Sequence, residues 1–307
     1  MTNIFSPASD EYRLDTMAVP PAPRVRYPSP PAGLRVLRWQ LKVLSAVAPG
    51  LAFRLAWKVF CTPRRLPAKD WEAVALVGAR RRMVAYETGP VAVYEWGPAA
   101  APAVVLVHGW EHRASFWGAW VQPLVDAGYH VVALDGPAHG ASAGKQTTLI
   151  EYGGAVQAVV DTLGEVRAIV AHSFGAASVA GLPVQLPTAT LPRLVLLSVP
   201  LGPREVAARF ADFLYLSNDF VDRFASYVEQ ATGRSAHSFG AAVAGPGTRA
   251  EKILVLHDEE DAIIPYSEGR EVAANWPGAV LHTTRGLGHN RILRDASVVQ
   301  AAVEFIA

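Results

Sequence analysis

From residue 73 onward the chain alternates two hydrophobic patterns. Short, almost wholly apolar runs stand at 103-AVVLVH-108, 130-HVVALD-135, 166-VRAIVA-171, 193-RLVLLS-198, 252-KILVLH-257 and 279-AVLHTT-284. Between them, apolar residues recur at helical spacing over 115–127, 147–163, 174–182, 266–275 and 291–306. Apolar runs without polar alternation are strands buried on both faces, and strands alternating with helices build a parallel sheet covered on both sides. Ahead of this series, 73–77, 82–87 and 91–96 read as antiparallel strands.

Two segments break the alternation. Residues 200–248 carry helical patterns (REVAARFADFLYL, NDFVDRFASYVEQ) and are expected to form a small helical lid between two strands of a core spanning 73–199 and 249–307. Residues 34–60 are also helical in pattern, with Arg35, Arg38, Lys42, Arg54 and Lys58 interspersed, and Pro49-Gly50 divides them into two helices. They open a basic extension over 34–72, preceded by a proline-rich arm, 1–33, expected to be extended. The longest uncharged run here, 43–53, has 11 residues, against about 20 needed to cross a bilayer.

Composition changes this picture in two ways. The single cysteine, Cys61, excludes an internal disulfide, and the start, MTNIFSPASDEYRLD, shows no basic stretch leading into an apolar run. A cytoplasmic protein, at most peripheral to a membrane, is expected. The net charge of +1 conceals an asymmetry: residues 24–82 hold 13 Lys and Arg against Asp70 and Glu72, whereas residues 83–307 hold 14 basic against 22 acidic side chains. A basic segment docking on its own acidic body is the expected main use of this charge, with weak association with an anionic membrane surface as a second. No HExxH, paired CxxC or P-loop occurs, so neither metal nor cofactor is expected, and the basic segment lacks the context of a nucleic-acid module.

The heptapeptide AHSFGAA occurs twice, at 171–177 and 236–242, offering Ser173 and Ser238. A reactive serine needs an exposed oxygen on a rigid backbone. A sharp strand-to-helix turn provides both, and it demands small residues two positions either side. Ser173 has Ala171 and Gly175 there, an apolar strand before it and a small-residue helix after it. Ser238 follows ATGRS and precedes the loop-like AVAGPGT. Ser173 is the expected nucleophile.

Five motifs then stand in a familiar order: 108-HGW-110, 135-DGPAHGAS-142, the AHSFG turn, 257-HDEEDAIIP-265 and 286-GLGHNRIL-293. Over residues 73–307 the chain resembles the α/β-hydrolase family. It departs from the commoner pattern at Ala171, Asp258 and Ala138, where glycine is frequent. The resemblance implies an α/β-hydrolase fold, a mostly parallel central sheet flanked by helices. It also implies a base at His289, near the chain end, and an acid at Asp261, four residues before Pro265, with Asp258 as the alternative. Backbone N–H groups of Trp110 and Phe174 are the implied oxyanion donors. His108, His139 and His172 belong to structural parts of the motifs, and His257 begins the acid loop. Trp110, Phe116 and Trp117, with Trp120, are candidates to wall an apolar substrate pocket.

The implied activity is hydrolysis of a small-molecule carboxylic ester with an apolar acyl group, through an acyl-enzyme on Ser173. Thioesters, lactones and C–C bonds fall to the same apparatus, and a binding or scaffolding protein of the same shape is the alternative of another class. A serine at the turn argues against dehalogenase and epoxide-hydrolase chemistry, which in this family uses an aspartate there. Oligomeric state is not legible.

Overall fold

The computed structural model describes residues 32–181, 186, 191–233, 235, 240–241 and 250–307. The proline-rich arm up to residue 31, and Ser238 with His237, lie outside the described residues.

In chain order the elements are α1 (Ala32–Val47), α2 (Pro49–Phe60), α3 (Asp70–Ala75), β1 (Arg80–Val84), β2 (Val91–Trp96), β3 (Ala103–Val107), α4 (Gly118–Asp126), β4 (His130–Leu134), α5 (Leu149–Val160), β5 (Val166–His172), α6 (Phe174–Gly181), β6 (Leu191–Leu197), α7 (Pro203–Leu214), α8 (Asn218–Thr232), β7 (Ala250–Asp258), α9 (Tyr266–Asn275), β8 (Val280–Thr284), α10 (Gly288–Arg291) and α11 (Ala296–Ile306). The eight strands form one sheet in the order β1-β2-β4-β3-β5-β6-β7-β8. Pairs β1–β2 and β2–β4 are antiparallel and the remainder parallel.

Strand geometry turns successive side chains to opposite faces, so each apolar run feeds two cores. Val105 and Val107 join one core with Tyr152, Val156 and Val272 from α5 and α9. Val104 and Leu106 join the other with Trp120, Leu124 and Val298 from α4 and α11. Continuous burial of β3 and β4 follows from this double cover.

The stretch expected as a first strand, 73–77, is instead the end of α3 and the turn after it. Glu72 Oε1 accepts the Lys69 backbone N–H at 3.0 Å, closing the helix start, and Glu72 Oε2 accepts from Ser115 Oγ at 2.7 Å. A carboxylate serving as both cap and anchor, with Ala73 and Ala75 as good helix formers, outweighs the β propensity of Val74.

A third core sits apart from the sheet. Leu41 and Ala56 from α1 and α2 pack with Ala207, Ala211, Leu214, Phe220, Val221 and Phe224 from α7 and α8. The rings of Trp57 and Tyr227 lie 4.3 Å apart, and those of Phe60 and Phe210 4.8 Å apart. Thus the N-terminal pair and the pair between β6 and β7 form one helical layer.

Strand order reverses at β3: β4 lies on one side of it and β5 on the other. Loops leaving the carboxyl ends of β3 and β5 therefore face each other across a crevice, where α/β sheets bind ligands.

Candidate active site

Ser173 occupies the turn between β5 and α6 with φ of +52°, in the left-handed region. Such a conformation costs a non-glycine residue about 1 kcal/mol or more and persists only where surroundings impose it. Two contacts impose it here. The Ser173 N–H donates to Leu197 O at 2.9 Å. Gly175 lets α6 approach the end of β3: a Cβ there would stand 2.4 Å from His108 O and 2.8 Å from Val107 O. Gly109 does the same from the other wall, since its Cβ would meet His172 Nδ1 at 2.8 Å and Ser173 Cβ at 3.1 Å. Glycines at 109 and 175 thus allow two loops to close on one serine.

His289 lies in α10, entered through Gly286 and Gly288 at positive φ. Its Nε2 is 3.0 Å from Ser173 Oγ, and its Nδ1 is 2.8 Å from Asp261 Oδ2. A carboxylate can only accept, so Nδ1 carries the proton and Nε2 is left to accept from the serine hydroxyl. The His289 carbonyl accepts from His172 Nε2 at 2.9 Å, tying the imidazole's loop to the residue just before the serine.

The Asp261 carboxylate is buried. Its Oδ1 accepts from Ile263 N and Ile264 N, both at 2.9 Å. Burial alone would raise its pKa. The His289 hydrogen bond and charge, with these two backbone donors, outweigh it and hold the group below its ordinary value. His257 stands beneath, donating from Nε2 to Ile264 O at 3.0 Å, which fixes the loop that presents Asp261.

Asp258 is also buried, but its hydrogen bonds go elsewhere than to the imidazole. It accepts from Glu260 N at 3.0 Å, Thr284 Oγ1 at 2.7 Å and Leu287 N at 3.0 Å. It therefore latches the loop carrying His289 to the end of β7. The alternative acid is thus hydrogen-bonded elsewhere, and the carboxylate on the imidazole is that of Asp261.

The other motif histidines brace loops. His108 Nε2 accepts from Gly136 N at 2.9 Å, so its Nδ1–H donates to Gly109 O at 2.7 Å. Asp135 accepts from Ala114 N and Ala141 N, and Tyr152 donates to His108 O. His139 donates to Pro137 O.

Among the described residues, the backbone N–H groups of Trp110 and Phe174 have no backbone acceptor. They flank Ser173 from the β3 loop and from the first position of α6, and the two side-chain rings meet at 4.9 Å. Beside them opens a cavity enclosing about 550 Å³, counting the part open to solvent. Its walls are almost all apolar: Trp110, Phe174 and Ala177 below, Pro203, Phe224 and Tyr227 from α7 and α8, and Trp57, Phe60 and Cys61 from α2 and its end.

Trp110 thus lines the cavity, whereas Phe116 and Trp117 do not. Phe116 stacks on His112 at 4.0 Å, and Trp117 is wholly buried against Trp120. The α2 wall is what sequence reasoning missed. Its aromatic residues sit at ordinary helical spacing, and nothing local distinguishes a cavity wall from a core face.

Comparison with known proteins fits this geometry. A model described as the alpha/beta hydrolase family matches residues 104–302. Epoxide hydrolase A of Mycobacterium tuberculosis is 33% identical over 117 residues, a match covering 36% of this chain and 36% of that protein. The Pyrococcus furiosus esterase Pf2001 superposes with a TM-score of 0.57 at 15% identity, over 80% of this chain and 95% of that one. Est816, described as an N-acyl homoserine lactone degrading enzyme, gives 0.57 at 18% identity, over 74% and 100%. These solved structures, under a quarter identical, share the fold. The family model spans the sheet from β3 to α11, and with the mostly parallel eight-stranded order it establishes that this chain belongs to the alpha/beta hydrolase family.

Proposed function

We propose that the protein is a serine hydrolase cleaving carboxylic esters of apolar acyl groups, with Ser173 as nucleophile, His289 as base and Asp261 as the acid that orients it. The observation that carries this reading is the continuous line of hydrogen bonds from Ser173 Oγ through His289 to Asp261. Serine is a weak nucleophile until a base removes its proton during attack. In the proposed reaction His289 Nε2 takes the Ser173 proton as Oγ bonds to the acyl carbon. Asp261 stabilises the imidazolium. The negative charge forming on the carbonyl oxygen falls to the N–H groups of Trp110 and Phe174. Imidazolium then protonates the departing alcohol, and a water deprotonated by His289 releases the acid from the acyl-enzyme.

The acyl group is assigned to the apolar cavity, because desolvating a chain there costs no unpaired polar group. A lactone presents the same carbonyl with its leaving group tethered, and the Est816 likeness makes lactones the second substrate class to assay. The test is labelling with a fluorophosphonate, followed by turnover of p-nitrophenyl esters of graded chain length. Labelling at Ser173, with turnover that rises beyond acetate and vanishes in Ser173→Ala, is expected. A folded protein that neither labels nor turns over any ester, thioester or lactone would return the site to a binding role.

A further inference from the structure

Helix α1 buries one apolar face and exposes another. Leu34, Leu37 and Leu41 turn to the helical core over α7 and α8. On a different side Val36, Trp39, Val43 and Val47 are all exposed, Trp39 at 65% and Val47 at 75%. Steps of three and four residues put these side chains on one arc of about 100°. A helix that served only to pack on the body would carry polar groups there.

The stripe has a cationic border. Residues 32–60 include Arg35, Arg38, Lys42, Arg54 and Lys58 and no Asp or Glu. Arg38 is engaged, its Nε donating to Phe213 O at 2.7 Å and its guanidinium lying over the rings of Phe213 and Tyr215. Arg35, Lys42, Arg54 and Lys58 are exposed, and among the described residues none reaches a carboxylate. Helical periodicity sets Arg35 and Lys42 at the edge of the stripe, beside Trp39. The basic residues that follow α2 behave differently. Arg64 pairs with Glu111 at 2.7 Å, and Arg65 donates to the carbonyls of Ala138, Gly140, Ser142 and Gly144. Internal docking therefore uses Arg64 and Arg65 and leaves the helix cations outward.

An apolar stripe centred on tryptophan and edged by cations is the surface of a helix lying in a lipid–water interface. At 16 residues α1 is about 24 Å long, and no described helix is long and apolar enough to cross a membrane. We propose that the outer face of α1 docks the protein on an anionic phospholipid surface. Val36, Trp39, Val43 and Val47 enter the interface, and Arg35 and Lys42 meet the phosphates. A second copy of this chain fits the face less well, because pairing two such stripes brings like charges together. Residues 1–31 hold Asp10, Glu11 and Asp15 against Arg13, Arg24 and Arg26, so they offer no net complementary charge.

The test is co-sedimentation of the full chain with vesicles of phosphatidylcholine alone and of phosphatidylcholine with phosphatidylglycerol, at low and moderate salt. Binding to the anionic vesicles, weakened by salt, is expected. Arg35→Ala with Lys42→Ala should lower it about thirtyfold, from about 1 kcal/mol for each cation near an anionic surface. Trp39→Glu should lower it about tenfold or more at an unchanged melting temperature, since a charge there must leave the interface. Equal sedimentation with both vesicle types, or anionic binding that survives Trp39→Glu, overturns the proposal. So does lipid-free self-association that Trp39→Glu abolishes, or vesicle binding that emerges only when residues 1–31 are removed.

Discussion

Two aspartates three residues apart divide one task. Asp261 touches the imidazole, while Asp258 accepts from Thr284 Oγ1 and Leu287 N and so holds the imidazole's loop. Asp261→Asn leaves an amide that cannot support the imidazolium, and kcat should fall by orders of magnitude, up to about 10⁴-fold. Asp258→Asn turns a donor toward backbone N–H groups. It should cost about 1–3 kcal/mol of stability, with a smaller fall in kcat. Denaturant titration beside ester turnover separates the two; a larger kcat loss for Asp258→Asn would exchange their roles. The polar members of the site were legible because each sits in a motif whose neighbours have a mechanical reason. Gly109 and Gly175 mark the two close approaches, and Pro265 marks the start of α9. Burial of Asp258 was not legible, since consecutive carboxylates in DEED carry no signal of which side each faces.

At the scale of elements, the parallel strands could be read because a doubly covered strand must be apolar throughout, as AVVLV is. The stretch 73–77 could not, because its fate is set by Glu72 finding Ser115, a contact distant in sequence. The same holds for the shared core of α1, α2, α7 and α8, whose halves lie more than 140 residues apart in the chain. The fit of α6 against β3 provides a test at this scale. Ala at position 175 would gain about 1 kcal/mol of helix propensity. Its methyl, however, meets two backbone carbonyls that cannot rotate away. Overpacking of this kind costs about 1–3 kcal/mol and should win. Gly175→Ala is expected to unfold at lower denaturant than the parent; equal or higher stability would mean that β3 and α6 separate freely.

Across the whole molecule, histidines set the response to acid. Burial, the largest cause in each case, lowers the pKa of His108, His112, His139, His172 and His257 below the ordinary 6.5, His139 to about 4 and His112 to about 3. The unfolded chain takes up protons near 6.5 that the folded chain refuses, so stability is full above 6.5 and declines as pH falls. Two such groups alone would remove about 2.7 kcal/mol per pH unit, against a total of about 5–15 kcal/mol. Thermal melts from pH 8 to 4 should show Tm falling from just below 6.5, before the carboxylates titrate. A flat profile down to pH 5 would mean that these imidazoles charge in place. Cys61, the only thiol, bears on how inhibition should be interpreted. It is buried at the end of α2 against the cavity, and burial pushes its pKa up to about 12, so it is protonated and slow to react. An alkylating reagent that did reach it would leave its adduct in the apolar cavity beside Trp110 and Phe174. Loss of turnover with maleimides would then report occlusion, with the serine chemistry intact, and would be no sign of a cysteine nucleophile.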